Sequence, residues 1–366
     1  MPVRSRKWWL LGLGACIIAF LLFRSRGLLH LSQFSGAKLW DVLRGANYLD
    51  LFLSVLTIYG CYAIRSLRWQ RFQRHVGAAN FWNIYAMNLA GFSALFLLGR
   101  AAEPIRPLLI SRKDKIPIAD TFGIYALERI LDAASTAVLA AIGLLVFESS
   151  GRLAADGTSS AFEKAARTAG TFFSLGAVVA ISGLVYLRFH GSALLERRME
   201  VWLAEHGWRA GVARILLGFT RGVQTVRTWG DLFAAVFLSL LHWALVALCY
   251  YLVAQSFGGR LGTLSYTDAM VILVFNMVGS AVQLPGVGGG AQALSIVAFT
   301  HLYAVGQEAA VAAAMVLWLV TFASCTFAGL PLLLKEGVSL GELRRMRQQE
   351  GVEIGAEILE HPSKPL

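Results

Sequence analysis

Hydrophobic residues along this chain fall in long blocks, not in the alternations or narrow stripes of a soluble fold. Apolar runs occupy 8–23, 49–64, 118–147, 169–187, 232–256 and 309–334. Each approaches or exceeds the ~20 residues that a helix needs to cross a ~30 Å hydrocarbon layer, so each predicts a transmembrane helix. The first follows Arg4, Arg6 and Lys7 and opens on Trp8-Trp9, an aromatic anchor. It lacks the small-residue cleavage pattern of a signal peptide and reads as an uncleaved span.

Two further apolar stretches are interrupted. One covers 81–111 and breaks at Arg100-Ala101-Ala102-Glu103-Pro104-Ile105-Arg106-Pro107. The other covers 267–304 and breaks at Leu284-Pro285-Gly286-Val287-Gly288-Gly289-Gly290. Proline removes a helical donor and glycine leaves backbone that hydrocarbon cannot satisfy. Such breaks survive at membrane depth only inside protein or along a wet cavity, which predicts two re-entrant hairpins. The expected fold is therefore all-α. It is a polytopic membrane protein with about six transmembrane helices and two re-entrant broken hairpins over 1–334, followed by a charged cytoplasmic tail at 335–366.

Composition agrees. The chain has 366 residues, 57% hydrophobic and 15% charged, against the ~25% charged residues usual in a soluble domain. The net charge of +11 changes the picture through its distribution. With both hairpins returning to the face they enter from, loops on one side carry 24 Lys and Arg and those on the other carry 8. The positive-inside bias makes the first set cytoplasmic. The loop holding Arg24, Arg26, Lys38 and Arg44 fits that rule least well. This orientation puts both termini inside a prokaryotic cytoplasmic (inner) membrane and makes the two hairpins dip from opposite faces. Transporters use opposed broken helices to build a midplane site open alternately to each side. No basic, aromatic-interleaved soluble module exists to hold nucleic acid. Cys16, Cys61, Cys249 and Cys325 lie in apolar stretches without C-x-x-C spacing and read as packing residues.

Ionisable residues at membrane depth cost at least ~2.5 kcal/mol each and face a partner or a cavity. Glu128 and Asp132 are one helical turn apart, and Arg129 lies between them on an adjoining face. The plainer reading is an internally neutralised set that locks this span to a neighbour. The functional one is a head-group site with Arg129 as donor and the two acids tuning it. Glu103 and Arg106 flank Pro104 at the first break, and Arg100, Arg106, Arg112, Lys113 and Lys115 form a basic rim. A guanidinium fork matches phosphate oxygens, so the rim suits a phospholipid or polyprenyl-phosphate head. For Arg112, Lys113 and Lys115, ordinary positive-inside charge explains as much.

The Pro285–Gly290 run lacks the Lys-Ser/Thr ending of a nucleotide loop. Its glycines suit close backbone approach or a half-helix end aimed at an anion. Gln283 and Gln292 bracket it, and Asn276 precedes it. His242 and His301 read as hydrogen-bonded packing residues before they read as titrating ones. The sequence contains no H-E-x-x-H, no G-x-S-x-G and no Walker lysine. No metal, no cofactor and no enzymatic activity are expected.

Gly99-Arg100-Ala101-Ala102-Glu103-Pro104-Ile105-Arg106 with the Glu128-Arg129-x-x-Asp132 helix, and Leu284-Pro285-Gly286-Val287-Gly288-Gly289-Gly290-Ala291-Gln292-Ala293, are familiar together. They resemble the flippase-like transmembrane domain of lysylphosphatidylglycerol synthetases over nearly the whole chain. The positions that match are Arg100, Glu103, Arg106, Glu128, Arg129, Asp132, Pro285, Gly286 and Gly289. Ala102 stands where a glycine is usual, and Gln292 where an acid is usual, which puts any coupling through that acid in doubt. The resemblance implies translocation of an amphipathic lipid between leaflets, and those nine positions with Gln292 are its candidate substrate-binding residues. The aminoacyl-transferring domain of two-domain relatives is absent from this sequence, so that activity is not carried over. The expected partners are membrane lipids and a lipid-synthesising enzyme. The alternative is a membrane-embedded transferase, or an accessory subunit, acting on lipid-linked substrates with Glu128 or Asp132 as acid-base group.

Overall fold

The computed structural model describes residues 35–99, 102–149, 225–226, 228–280, 283–284 and 288–336, with isolated helical positions at 168, 171, 175, 176, 179 and 182. The spans expected at 8–23 and 169–187 therefore lie largely outside the described residues, as do Arg100, Pro285, Gly286 and the tail beyond 336.

Helices dominate the described chain. A short surface helix α1 (Gly36–Arg44) leads into α2 (Tyr48–Gln73), α3 (Phe81–Leu98), α4 (Ile105–Asp114) and α5 (Ile118–Ser149). Then come α6 (Trp229–Ser256), α7 (Tyr266–Gly279), α8 (Gly290–Leu302) and α9 (Gln307–Lys335). Local sequence starts them where polar side chains can cap. Asn47 accepts from Leu49 N, Asn80 accepts from Trp82 and Asn83 N, and Thr228–Asp231 and Ser265–Asp268 form capping boxes. These caps satisfy helix-end donors that hydrocarbon would leave unpaired.

Five helices (α2, α3, α5, α6 and α9) are long and apolar enough to span a membrane. Four of them run the length of the bundle, and side-chain contacts fix its two ends. At one end Gln73 and Asn83 both donate to the Asp114 carboxylate, His75 lies 3.2 Å from Asp231, and Lys113 pairs with Glu336 at 2.6 Å. This is the Lys113 end. At the other, Asn47 N donates to Ser256 O at 2.6 Å, Arg260 donates to Tyr303 O at 3.0 Å, and the Phe147 and Tyr303 rings meet. This is the Arg260 end.

Each interrupted stretch is an antiparallel hairpin whose legs return to the level where they began. In the first, Gly91 packs on Arg106 and Asn83 bonds Asp114: eight residues back along α3 match eight forward along α4. In the second, Asn276 bonds Ser295, and Tyr303 donates to Asp268 O with the same eight-residue step along α7 and α8. The first hairpin starts and finishes at the Lys113 end, the second at the Arg260 end. The two broken segments thus enter the bundle from opposite ends, as the loop charges predict.

The turns explain the sequence. Gly99 has φ 74°, a left-handed backbone that a side chain disfavours, and Pro104 stands just before α4, where its missing N–H costs no helical bond. In the second hairpin Gln283–Leu284 and Gly288–Gly289 form a two-residue antiparallel ladder that closes the turn. Gly279 sits against Gly290, and only a residue without Cβ permits that approach.

One boundary differs from the sequence reading. The span expected to stop at 64 continues as helix to Gln73, so Arg65 and Arg68 are inside the bundle and not in a cytoplasmic loop. The α9 helix carries a π-helical turn at Leu319–Ala323, which turns carbonyls out of the helical ladder. Tyr62 donates to Thr321 O, Tyr59 to Ser324 O and Ser93 to Cys325 O. Further along, Gly329 faces Leu89 O and Ser93, and an added Cβ there would overlap backbone. Gly329→Ala is expected to destabilise by ~1–3 kcal/mol through overpacking, read as a lower thermal midpoint in detergent. An unchanged midpoint would show that α3 and α9 do not pack this closely.

Candidate functional site

Why α2 buries two arginines follows from what faces them. Arg65 and Arg68 are three residues apart on one side of α2, and Glu128 and Asp132 are four apart on one side of α5. When the two helices pack, the charges meet well inside the bundle, about 12–15 Å from the Lys113 end at ~1.5 Å per helical residue.

Glu128 is contacted by four guanidiniums: Arg65 at 2.5 Å, Arg68 at 3.1 Å, Arg106 at 2.9 Å and Arg129 at 3.3 Å. Asp132 is contacted by three: Arg65 at 3.2 Å, Arg68 at 2.8 Å and Arg129 at 2.8 Å. Trp243 also donates its indole N–H to Asp132, Arg68 donates to Ser239, and Arg106 donates to Asn88. Arg106 further packs over the rings of Trp69, Phe92 and Tyr125. This is a buried network joining α2, α3, α4, α5 and α6, with more guanidiniums than carboxylates.

His242 completes one side. Its Nε2 lies 2.9 Å from Arg65 Nη2 and its Nδ1 lies 3.1 Å from Cys61 O. A guanidinium only donates and a carbonyl only accepts, so the arrangement fits a neutral ring protonated on Nδ1. The histidine is a positioned acceptor in the network, in keeping with its reading as a hydrogen-bonded packing residue.

A cavity of about 310 Å³ opens beside the network, a size within the usual range for small-molecule sites. Arg65, Arg129, Asp132 and His242 form its polar wall, and Glu103 comes from the turn of the first hairpin. Asn276, Met277 and Ser280 come from the second hairpin, and Tyr62, Phe92, Trp243 and Phe322 supply apolar surface. Elements entering from both ends thus meet at one cavity. Glu103 accepts a hydrogen bond from Tyr125 at 2.9 Å, and the Arg129 guanidinium lies over that same ring.

The expected site residues divide accordingly. Glu103, Arg129 and Asp132 line the cavity, Arg106 lines a narrow side pocket next to it, and Glu128 is buried behind them. Gly289 and Gln292 are not brought to the cavity wall. Gln292 instead accepts from Gly289 N at 2.5 Å, closing its own hairpin turn where φ at Gly289 is 139°. Arg100, Pro285 and Gly286 lie outside the described residues. Of the rim, Arg112, Lys113 and Lys115 are exposed at the Lys113 end, away from the cavity. Sequence reasoning missed Arg65 and Arg68, although their three-residue spacing after an apolar run was the available signal. Among the described residues no cluster of His, Cys, Asp and Glu has the make-up of a metal site.

The family model described as Lysylphosphatidylglycerol synthase TM region matches residues 9–329, which include both hairpins and all the charged residues of the network. No curated protein matches the chain. The chain is a multi-pass membrane protein, and it belongs to the lysylphosphatidylglycerol synthase transmembrane-region family.

Proposed function

We propose that the protein moves an amphipathic lipid between the leaflets of a prokaryotic cytoplasmic membrane, as a flippase or scramblase-like transporter and not as an enzyme. The observation that carries this reading is the cavity. It holds guanidinium at membrane depth, between two hairpins that enter from opposite ends. A phospholipid or polyprenyl-phosphate head would occupy the polar wall while its tails stay in hydrocarbon. Opposed hairpins give such a site a route toward each leaflet in turn. With no nucleotide-binding motif in the sequence, the drive is an ion gradient or downhill exchange.

The exposed basic residues among those described support an orientation. Arg71, Arg74, Arg112, Lys113, Lys115 and Lys335 lie toward the Lys113 end, against Lys38, Arg44 and Arg260 toward the other. The positive-inside bias makes the Lys113 end cytoplasmic, with both termini on that side. The transferase alternative needs Glu128 or Asp132 to exchange a proton with substrate. Each carboxylate already meets three or four guanidiniums, which favours the transport reading.

Purified protein in liposomes with a fluorescent lipid in both leaflets, and dithionite added outside, tests the proposal. Dithionite quenching should reach lipid in both leaflets faster than in empty vesicles. Quenching no faster than in empty vesicles contradicts it.

A further inference from the structure

We infer that the cavity selects lipids with a net negative head over zwitterionic ones; this rests on the transport reading and narrows its substrate class. The argument is charge balance. Arg65, Arg68, Arg106 and Arg129 meet Glu128 and Asp132 directly. Glu103, bonded to Tyr125 on the cavity wall, brings a third carboxylate. With all three acids ionised, this set still has one positive charge in excess. A charge held away from water needs a counter-charge within reach.

The geometry shows where that counter-charge fits. The Arg129 side chain is 37% exposed and lines the cavity, so part of its guanidinium faces open space. A phosphodiester oxygen against the exposed part of that guanidinium would supply the negative charge the set lacks. An ammonium group finds less. Of the carboxylates on the cavity wall, Asp132 is committed to three arginines and Glu103 already accepts from Tyr125, and the Phe92 ring is already faced by Arg65 and Arg106. A monoanionic head brings the set to neutrality; a zwitterionic head adds a cation together with its phosphate.

Binding to the purified full-length chain separates this claim from transport. Calorimetry with dihexanoyl phosphatidylglycerol, dihexanoyl phosphatidylcholine and inorganic phosphate, each below any micelle concentration, provides the comparison. The glycerol lipid should bind at least about tenfold tighter than the choline lipid, a difference of ~1.4 kcal/mol. It should also bind tighter than phosphate. Equal affinity for the two lipids, or preference for choline, overturns the inference. Phosphate binding as tightly as the glycerol lipid would make this a soluble-anion site and overturn the lipid assignment. Glu103→Gln, which removes a negative charge and little volume, should strengthen phosphatidylglycerol binding several-fold; weaker binding by a folded variant counts against charge balance. If the selectivity holds while liposomes show no flip, the transport reading fails and the anion site stands. Flip without selectivity overturns the anion preference and leaves transport standing.

Discussion

Glu128→Ala is expected to abolish accumulation of folded protein. All four guanidiniums of the network touch this one carboxylate, and it is 1% exposed. Its removal leaves Arg65, Arg68 and Arg106 crowded together with Asp132 as the remaining acid in their midst. Breaking one buried pair typically costs ~3–5 kcal/mol, because the partner stays buried without compensation. Total stability of a domain is only ~5–15 kcal/mol. Size-exclusion profiles and thermal midpoints in detergent check the outcome. Combining Glu128→Ala with Arg106→Ala should recover part of the loss, since that double change removes a charge of each sign. A wild-type midpoint for Glu128→Ala would show that the network does not hold the helices together.

The second large effect is on transport. Arg129→Ala should lower the rate of lipid translocation at least about tenfold, equivalent to ~1.4 kcal/mol, while Lys113→Ala leaves it near wild type. The two side chains have nearly the same fractional exposure, 37% and 36%, so exposure alone predicts equal effects. Their surroundings differ. Arg129 faces the cavity between the hairpins, whereas Lys113 pairs with Glu336 at an end of the bundle. Arg129 also shares its acids with three other arginines, so its loss leaves neither acid unpaired. Matched midpoints and unequal rates in the liposome assay are the expected combination; equal rates would contradict it.

Much of this architecture is written in local chemistry. Long apolar blocks name the crossing helices because backbone in hydrocarbon has few alternatives. The breaks at Gly99–Pro104 and Pro285–Gly290 name the hairpin turns because proline and glycine cannot continue a helix cheaply. The loop charges then predict opposed hairpins, and contacts such as Asn83–Asp114 and Asn276–Ser295 bear out that geometry. The site was legible only in part. Glu128, Arg129 and Asp132 stand out as charges within an apolar block. Arg65 and Arg68 do not, because they follow a hydrophobic run in the way that flanking loop charges do. What buries them is α5, a partner about sixty residues away, and no window of local sequence contains both halves of that pairing. Gln292 differs in the other direction. Its place in a resembling motif suggested a ligand role, while its side chain closes a turn beside Gly289.

Sidedness of the hairpin ends tests the central claim most directly. Single cysteines at Lys115 and at Thr263, both exposed, can be placed in a chain whose Cys16, Cys61, Cys249 and Cys325 are replaced by alanine. A membrane-impermeant maleimide applied to sealed, oriented vesicles should label Lys115→Cys from one side and Thr263→Cys from the opposite side. Labelling of both positions from the same side would mean that the hairpins do not enter from opposite leaflets, and the two-sided cavity would lose its basis.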